Sequence, residues 1–166
     1  MFIFGMIENP QPGQLLARGV CRHLRQQGMS CLTEFVPARG LRVDVIALDR
    51  KGEIWIIECK SSRADFVSDQ KWMGYLEWCD RFFWCVPEEF PLDILPENDG
   101  LILADPYDAE IIRYGPETKL PAARRKATTL KMTRNGLDRL ASYTDPRPAA
   151  RLAEKLVFAG DTSDQF

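Results

Sequence analysis

Apolar and polar positions repeat first with a helical period and then with the alternation of strands. From Gln11 to Gln27, Leu15, Leu16, Val20 and Leu24 recur at helical spacing. Pro12 suits the first turn of this helix, and Gly28 suits the left-handed residue that ends one. Three extended runs follow, Cys31 to Val36, Leu41 to Leu48 and Glu53 to Lys60. The second and third are rich in Val and Ile and flank Asp49-Arg50-Lys51-Gly52, which predicts a hairpin. Ser62 with Asp65 resembles a capping box, with Asp in place of Glu, and opens a helix predicted to reach about Cys79. Arg81 to Val86 reads as a strand, and PEEFPLDILPEN as a loop with one short helical turn. Gly100 to Ala104 and Ala109 to Tyr114 form a last strand pair, turned at Asp105-Pro106-Tyr107. A basic helix over about 122–143 comes next, then a short helix over 151–159 and a polar tail that frays. The order α-β-β-β-α-β, plus additions, predicts an α/β domain around a mixed central sheet flanked by helices. One domain is expected over 1–145, with 146–166 as an appendage.

Composition narrows the class. Of 166 residues, 45% are apolar and 28% charged, which excludes disorder, collagen and coiled coil. No apolar window is long enough to span a membrane. The opening MFIFGMIENP is too brief for a secretory leader, and Met6 is an alternative start. Cys21, Cys31, Cys59, Cys79 and Cys85 are odd in number and contain no C-x-x-C pair. They read as free thiols, mostly in apolar runs, and fit a reducing, cytoplasmic setting. His23 is the only histidine and has no Cys, Asp or Glu at ligand spacing, so zinc is not expected. The net charge of −2 conceals an asymmetry: residues 1–118 hold 12 Lys/Arg against 19 Asp/Glu, whereas 119–151 hold nine against two. An acidic body with one basic segment points to a polyanionic partner.

The candidate chemistry lies in RVDVIALDRKGEIWIIECKSS, residues 42–62. The run from Glu53 to Lys60 is apolar enough for a central strand, yet it ends in Glu58 and Lys60. Alternation sets those two on one face with Ile54 and Ile56, while Trp55, Ile57 and Cys59 face the other way. Charges at the end of a buried strand cost stability unless they are paired or bind an ion. A three-residue loop, Arg50-Lys51-Gly52, pairs Asp49 with Glu53 and so sets Asp44 opposite Glu58. Two carboxylates roughly 5 Å apart at Cβ repel each other but make a good seat for a hard cation. A two-residue loop would put Ile57 opposite Asp44 and destroy the arrangement. A salt-bridged cluster of Asp44, Glu58 and Lys60 is the plain structural alternative.

Asp44 with Glu58-Cys59-Lys60 on a hairpin between two helices resembles the core of the PD-(D/E)XK, or restriction-endonuclease-like, nuclease superfamily. More narrowly, TEF at 33–35, the hairpin, KSSRADF, DQKW, CDRFFWCVPEEFP and ARRKA resemble the MmcB family of DNA-repair nucleases, over about residues 12–145. The resemblance implies that Asp44, Glu58 and the carbonyl of Cys59 ligate Mg²⁺ or Mn²⁺. It also implies that Lys60 orients the attacking water or stabilises charge on the phosphate. Many relatives carry an acid on the first helix; counting back from Gly28 reaches Ala17, so that position is empty, and Glu34 is the best replacement. On the following helix, Gln70 and Lys71 are candidates near the site. Trp72, Leu76 and Cys79 recur at helical spacing and read as core, as do the aromatics of Arg81-Phe82-Phe83-Trp84.

The basic helix, with Arg124, Arg125, Lys126, Lys131 and Arg134, is the expected phosphate-tracking element. No groove-reading motif is visible, so DNA would be recognised by backbone or structure. The leading expectation is a metal-dependent DNA endonuclease acting in repair. Beside it stand a nuclease-fold module that holds structured or damaged DNA for a repair-protein partner, and an adaptor that binds an acidic protein. A homodimer is a further expectation, because cutting two strands takes two sites.

Overall fold

The helical period of residues 11–27 becomes α1 (Pro12–Gln26), which Gly28 ends with φ 83°, a conformation that costs glycine little. The computed structural model describes residues 9–69 and 71–146. After α1 come β1 (Ser30–Phe35), β2 (Val43–Leu48), β3 (Ile54–Cys59), α2 (Arg63–Ser68), β4 (Arg81–Val86), β5 (Gly100–Ala104), β6 (Ala109–Arg113) and α3 (Ala122–Thr144). A short 3-10 turn, Leu92–Ile94, occupies the proline-rich loop. The expected short helix over 151–159 and polar tail lie outside the described residues.

The strands form one mixed six-stranded sheet in sequence order, β1 to β6. β1, β2 and β3 are antiparallel neighbours, β3, β4 and β5 are parallel, and β6 returns antiparallel. Every residue of β3 is buried, as a central strand covered on both faces requires. On one face Trp55, Ile57 and Cys59 pack with Phe83 and Cys85 of β4 beneath Leu16, Val20 and Leu24 of α1. α1 also runs close over the β5–β6 turn at Gly19, where a Cβ would collide with the carbonyl of Asp105 and lie 2.7 Å from that of Asp108.

On the other face, the helix expected to run from Ser62 to Cys79 is interrupted. The Ser62 hydroxyl does cap α2, accepting from Asp65 N–H at 3.2 Å, but α2 ends at Ser68. Asp69 is extended, and its Oδ1 accepts the Lys71 N–H at 2.8 Å, a local turn that competes with helix. The chain resumes as a 3-10 helix, Trp72–Trp78. Its three-residue period turns Trp72, Tyr75 and Trp78 inward and leaves Leu76 41% exposed, which corrects the assignment of Leu76 to the core. Trp72 packs against Phe82 and Trp84 of β4, with ring centroids 5.8 and 5.3 Å away.

The chain divides into two compact units, Met1–Lys131 and Met132–Phe166, with the boundary inside α3. The first unit holds the sheet, α1, α2 and the opening turns of α3. Among the described residues, no helix is long and apolar enough to cross a membrane. All five cysteines are free thiols.

Candidate active site

The hairpin register decides which side chains meet. The β2–β3 ladder pairs Val45 with Ile57 and runs out to Leu48 with Ile54. Asp49 N–H donates to the Glu53 carbonyl at 3.0 Å, Gly52 N–H donates to the Asp49 carbonyl at 3.2 Å, and Gly52 takes φ 88°. These are the marks of the three-residue loop, and the two-residue alternative is excluded. One step beyond Val45–Ile57, the same register sets Asp44 opposite Glu58 at the mouth of the hairpin.

Asp44 Oδ2 accepts the Cys59 N–H at 2.8 Å. Lys60 Nζ donates to Glu58 Oε1 at 3.1 Å and to Asp69 Oδ2 at 2.6 Å. Glu58 and Lys60 are each only 5% exposed, and Glu58 Oε2 is buried with no hydrogen-bond partner. Burial, then the neighbouring charge of Asp44, pushes the Glu58 carboxyl up to about 8. Burial raises Asp44 too, against the opposing bond from Cys59 N–H. Burial would lower Lys60, but the bond to Asp69 and the charge of Glu58 outweigh it and hold the ammonium protonated. Asp69 moves the other way: burial alone would raise it, yet bonds from Lys60 and Lys71 N–H keep it below the usual carboxylate range. The cluster thus holds one firm cation, one firm anion at Asp69, and two carboxyls that lack enough positive charge.

Asp44, Glu58, Cys59 and Lys60 line an open cavity of about 810 Å³, together with Gln14, Glu34 and Asp65. Glu34 is exposed at the rim with φ 50°; its neighbours Thr33 and Phe35 pair with Val45 and Val43, while Glu34 falls outside the pairing. A left-handed non-glycine residue costs about 1–3 kcal/mol, so the backbone here is strained at the site. The helix position expected to reach the site needs correction. Ala17 is buried in the α1–sheet core, and the first turn, Gln11 to Gln14, is what lines the cavity. A Cβ on Gly13 would lie 3.9 Å from the Cys59 carbonyl. The carboxamide of Gln14 therefore stands where an acid was sought. Lys71 also lines the cavity, and Gln70 lies outside the described residues.

The basic helix divides into two kinds of cation. Arg125, expected to contact DNA, is held in an ion pair with Asp80. Its Nη1 and Nη2 grip both oxygens of Asp80 at 2.7 and 2.6 Å, and Nη1 also donates to the Gly52 carbonyl. Asp80, 3% exposed, further accepts Ile54 N–H at 2.7 Å and Leu120 N–H at 2.9 Å. Arg124 lies 4.3 Å over the ring of Trp78, and Lys131 Nζ donates to the Pro37 carbonyl at 3.2 Å. Of the five, Lys126 and Arg134 are exposed and make no such contact among the described residues. Asp80 has no role that the sequence pattern assigns. The only signal for Asp80 was an acid at the head of an aromatic strand, and nothing in the sequence connects it to Arg125, 45 residues away.

Fold and site together define a mixed α/β protein with two facing carboxyls and a lysine in an open cleft at one end of a buried hairpin. The chain belongs to the MmcB-like family: the family model described as DNA repair protein MmcB-like matches residues 7–147. It is also similar to a solved structure, the SPO1766 protein of unknown function from Silicibacter pomeroyi. The two are 61% identical, with 83% of this chain and 94% of that chain covered and a TM-score of 0.81. No curated protein matches the chain.

Proposed function

We propose that this DNA-repair-family chain is a metal-dependent endonuclease with a restriction-endonuclease-like core that hydrolyses phosphodiester bonds of DNA. The observation that supports this most is the buried Glu58 carboxyl facing Asp44, whose Oε2 has no hydrogen-bond partner among the described residues. An unsatisfied buried polar atom costs about 1–3 kcal/mol, which a bound cation would offset. Among the described residues no three His, Cys, Asp or Glu side chains gather as a closed metal centre. The donors that fit are Asp44, Glu58 and the Cys59 carbonyl, an all-oxygen set suited to Mg²⁺ or Mn²⁺ with water and phosphate completing the shell. Such an ion lowers the pKa of a bound water and offsets charge on the phosphate. Cys59 N–H fixes Asp44 in place. Asp69 keeps Lys60 protonated and anchored, so the ammonium would face phosphate oxygens when Glu58 turns to a cation. Glu34 would add a carboxylate at the rim.

The test is cleavage of labelled single-stranded, duplex, flapped and four-way-junction DNA with Mn²⁺, wild type beside Lys60→Ala. The expected result is cutting by wild type and a loss of about 10²-fold or more in the variant. Equal cutting by both would mean a contaminating nuclease and would end the proposal. A second reading, a module that holds DNA for a partner or a second copy, is favoured by Gln14 standing in place of an acid. It predicts binding without turnover under any divalent metal.

A further inference from the structure

On α3 Lys126, Lys131 and Arg134 are exposed, and the structure reveals a second basic surface on α1. α1 carries Arg18, Arg22 and Arg25 and no acidic residue. At 100° per residue, Gln11, Gln14, Arg18, Arg22 and Arg25 fall on one face, opposite the buried Leu16, Ala17, Val20 and Leu24. The two glutamines line the cavity, so the arginines continue outward from it. Among the described residues none of the three is in an ion pair. Arg18 is steered by its Nε, which donates to the Pro106 carbonyl at 2.9 Å, and Arg25 Nε donates to the Cys21 carbonyl of its own helix. Tyr107 projects from the β5–β6 turn with 69% of its surface exposed, its ring 5.6 Å from the Arg18 guanidinium and 5.9 Å from that of Arg22.

We infer that this face of α1, with Tyr107, is the surface along which the DNA backbone runs into the Asp44–Glu58–Lys60 cavity. The inference rests on the reading of that cavity as a DNA site and names the track that feeds it. Gln14 to Arg25 spans about 16 Å of helix, close to five base-pair steps at 3.4 Å each. Guanidiniums recognise phosphate bidentately, and Arg18 and Arg22 keep donors to spare. A half-free tyrosine ring between two arginines is a stacking platform for an unpaired base. Asp105 and Asp108 lie nearby but are engaged: Asp105 Oδ1 accepts two backbone N–H groups of the turn, and Asp108 Oδ1 accepts from Ala109 N–H and meets His23.

Fluorescence anisotropy on labelled duplex and single-stranded DNA, in EDTA and from 50 to 200 mM salt, tests the track without any cleavage. The Arg18→Gln/Arg22→Gln/Arg25→Gln variant is expected to lose about tenfold or more in affinity. Its slope of log affinity against log salt should be shallower by about two to three. Tyr107→Ala should weaken single-stranded binding about fivefold or more and duplex binding less. Because Arg18 also bonds Pro106, Arg22→Gln/Arg25→Gln serves as a second variant, with a slope change of about two. Wild-type affinity and slope in both variants would overturn the track, the more so if Lys126→Gln/Arg134→Gln weakened binding instead. That outcome leaves the nuclease reading standing if Mn²⁺-dependent cleavage persists. No wild-type binding to any DNA would overturn both.

Discussion

Glu58 carries the tension of the site. Its carboxyl is raised to about 8 by burial and by Asp44, so near neutrality the folded chain holds a proton that an unfolded Glu releases near pH 4.3. The sign follows: its contribution to stability is full below about pH 4.3 and is lost as pH rises through about 8. Glu58→Gln removes that dependence. It should gain about 1 kcal/mol or more relative to wild type at pH 8 compared with pH 5, read from urea midpoints. At the proposed metal site the same proton would have to leave before a cation binds. Calorimetry with Mn²⁺ should therefore show about one proton released at pH 7 and affinity rising about tenfold per pH unit between 6 and 8. A pH-independent affinity would remove Glu58 from the ligand set. Glu58→Gln should bind Mn²⁺ weakly at every pH.

At the scale of elements, two points where helices meet the rest of the fold have a clear cost of change. Asp80 joins β3, β4, the segment before α3 and Arg125 through four hydrogen bonds. Asp80→Ala leaves Arg125 without its partner and two buried N–H groups unsatisfied. A loss of about 3–5 kcal/mol in urea unfolding is expected, and a double-mutant cycle with Arg125→Ala should recover part of it. Gly19→Ala has no room for its methyl between α1 and the β5–β6 turn, because the opposing atoms are backbone. It should cost about 1–3 kcal/mol by forcing the helix away from the turn. The break at Asp69 belongs to this scale as well. One oxygen caps Lys71 and the other holds Lys60, so the end of α2 is fixed by the site and not by helix propensity.

Across the whole molecule, the charge map and the titration behaviour follow from where charges are placed, not from their total. A pI near 5.5 gives little reason to expect DNA binding, yet α1 and α3 each carry a run of basic residues. Asp69 and Asp80 are both held below the usual range by the bonds they accept, against the opposing effect of burial. Depressed acids contribute stability above the unfolded value, near 3.9, and lose it as pH falls through their lowered values. With Glu58 acting in the opposite sense, thermal stability should peak near pH 5. Asp80→Asn should flatten the acid limb of that curve and Glu58→Gln the alkaline limb.

Local signals sufficed for most of the secondary structure and for the hairpin. α1, the six strands and α3 were legible because each has its own period, cap or turn. The facing of Asp44 and Glu58 was legible because a glycine at the third loop position admits one register, and strand alternation carries that register to the far end of the pair. What the sequence could not determine lies in contacts between residues distant along the chain. The stop of α2 depends on Lys60 reaching Asp69 from the end of β3. The role of Arg125 depends on Asp80 being buried across 45 residues of chain. The turn of α1 that meets the site depends on how the helix lies over Cys59, which puts Gln14, not Ala17, at the cavity. Periodicity records which face of an element is apolar, but a polar side chain's partner is chosen by packing geometry, and only the folded chain contains that geometry.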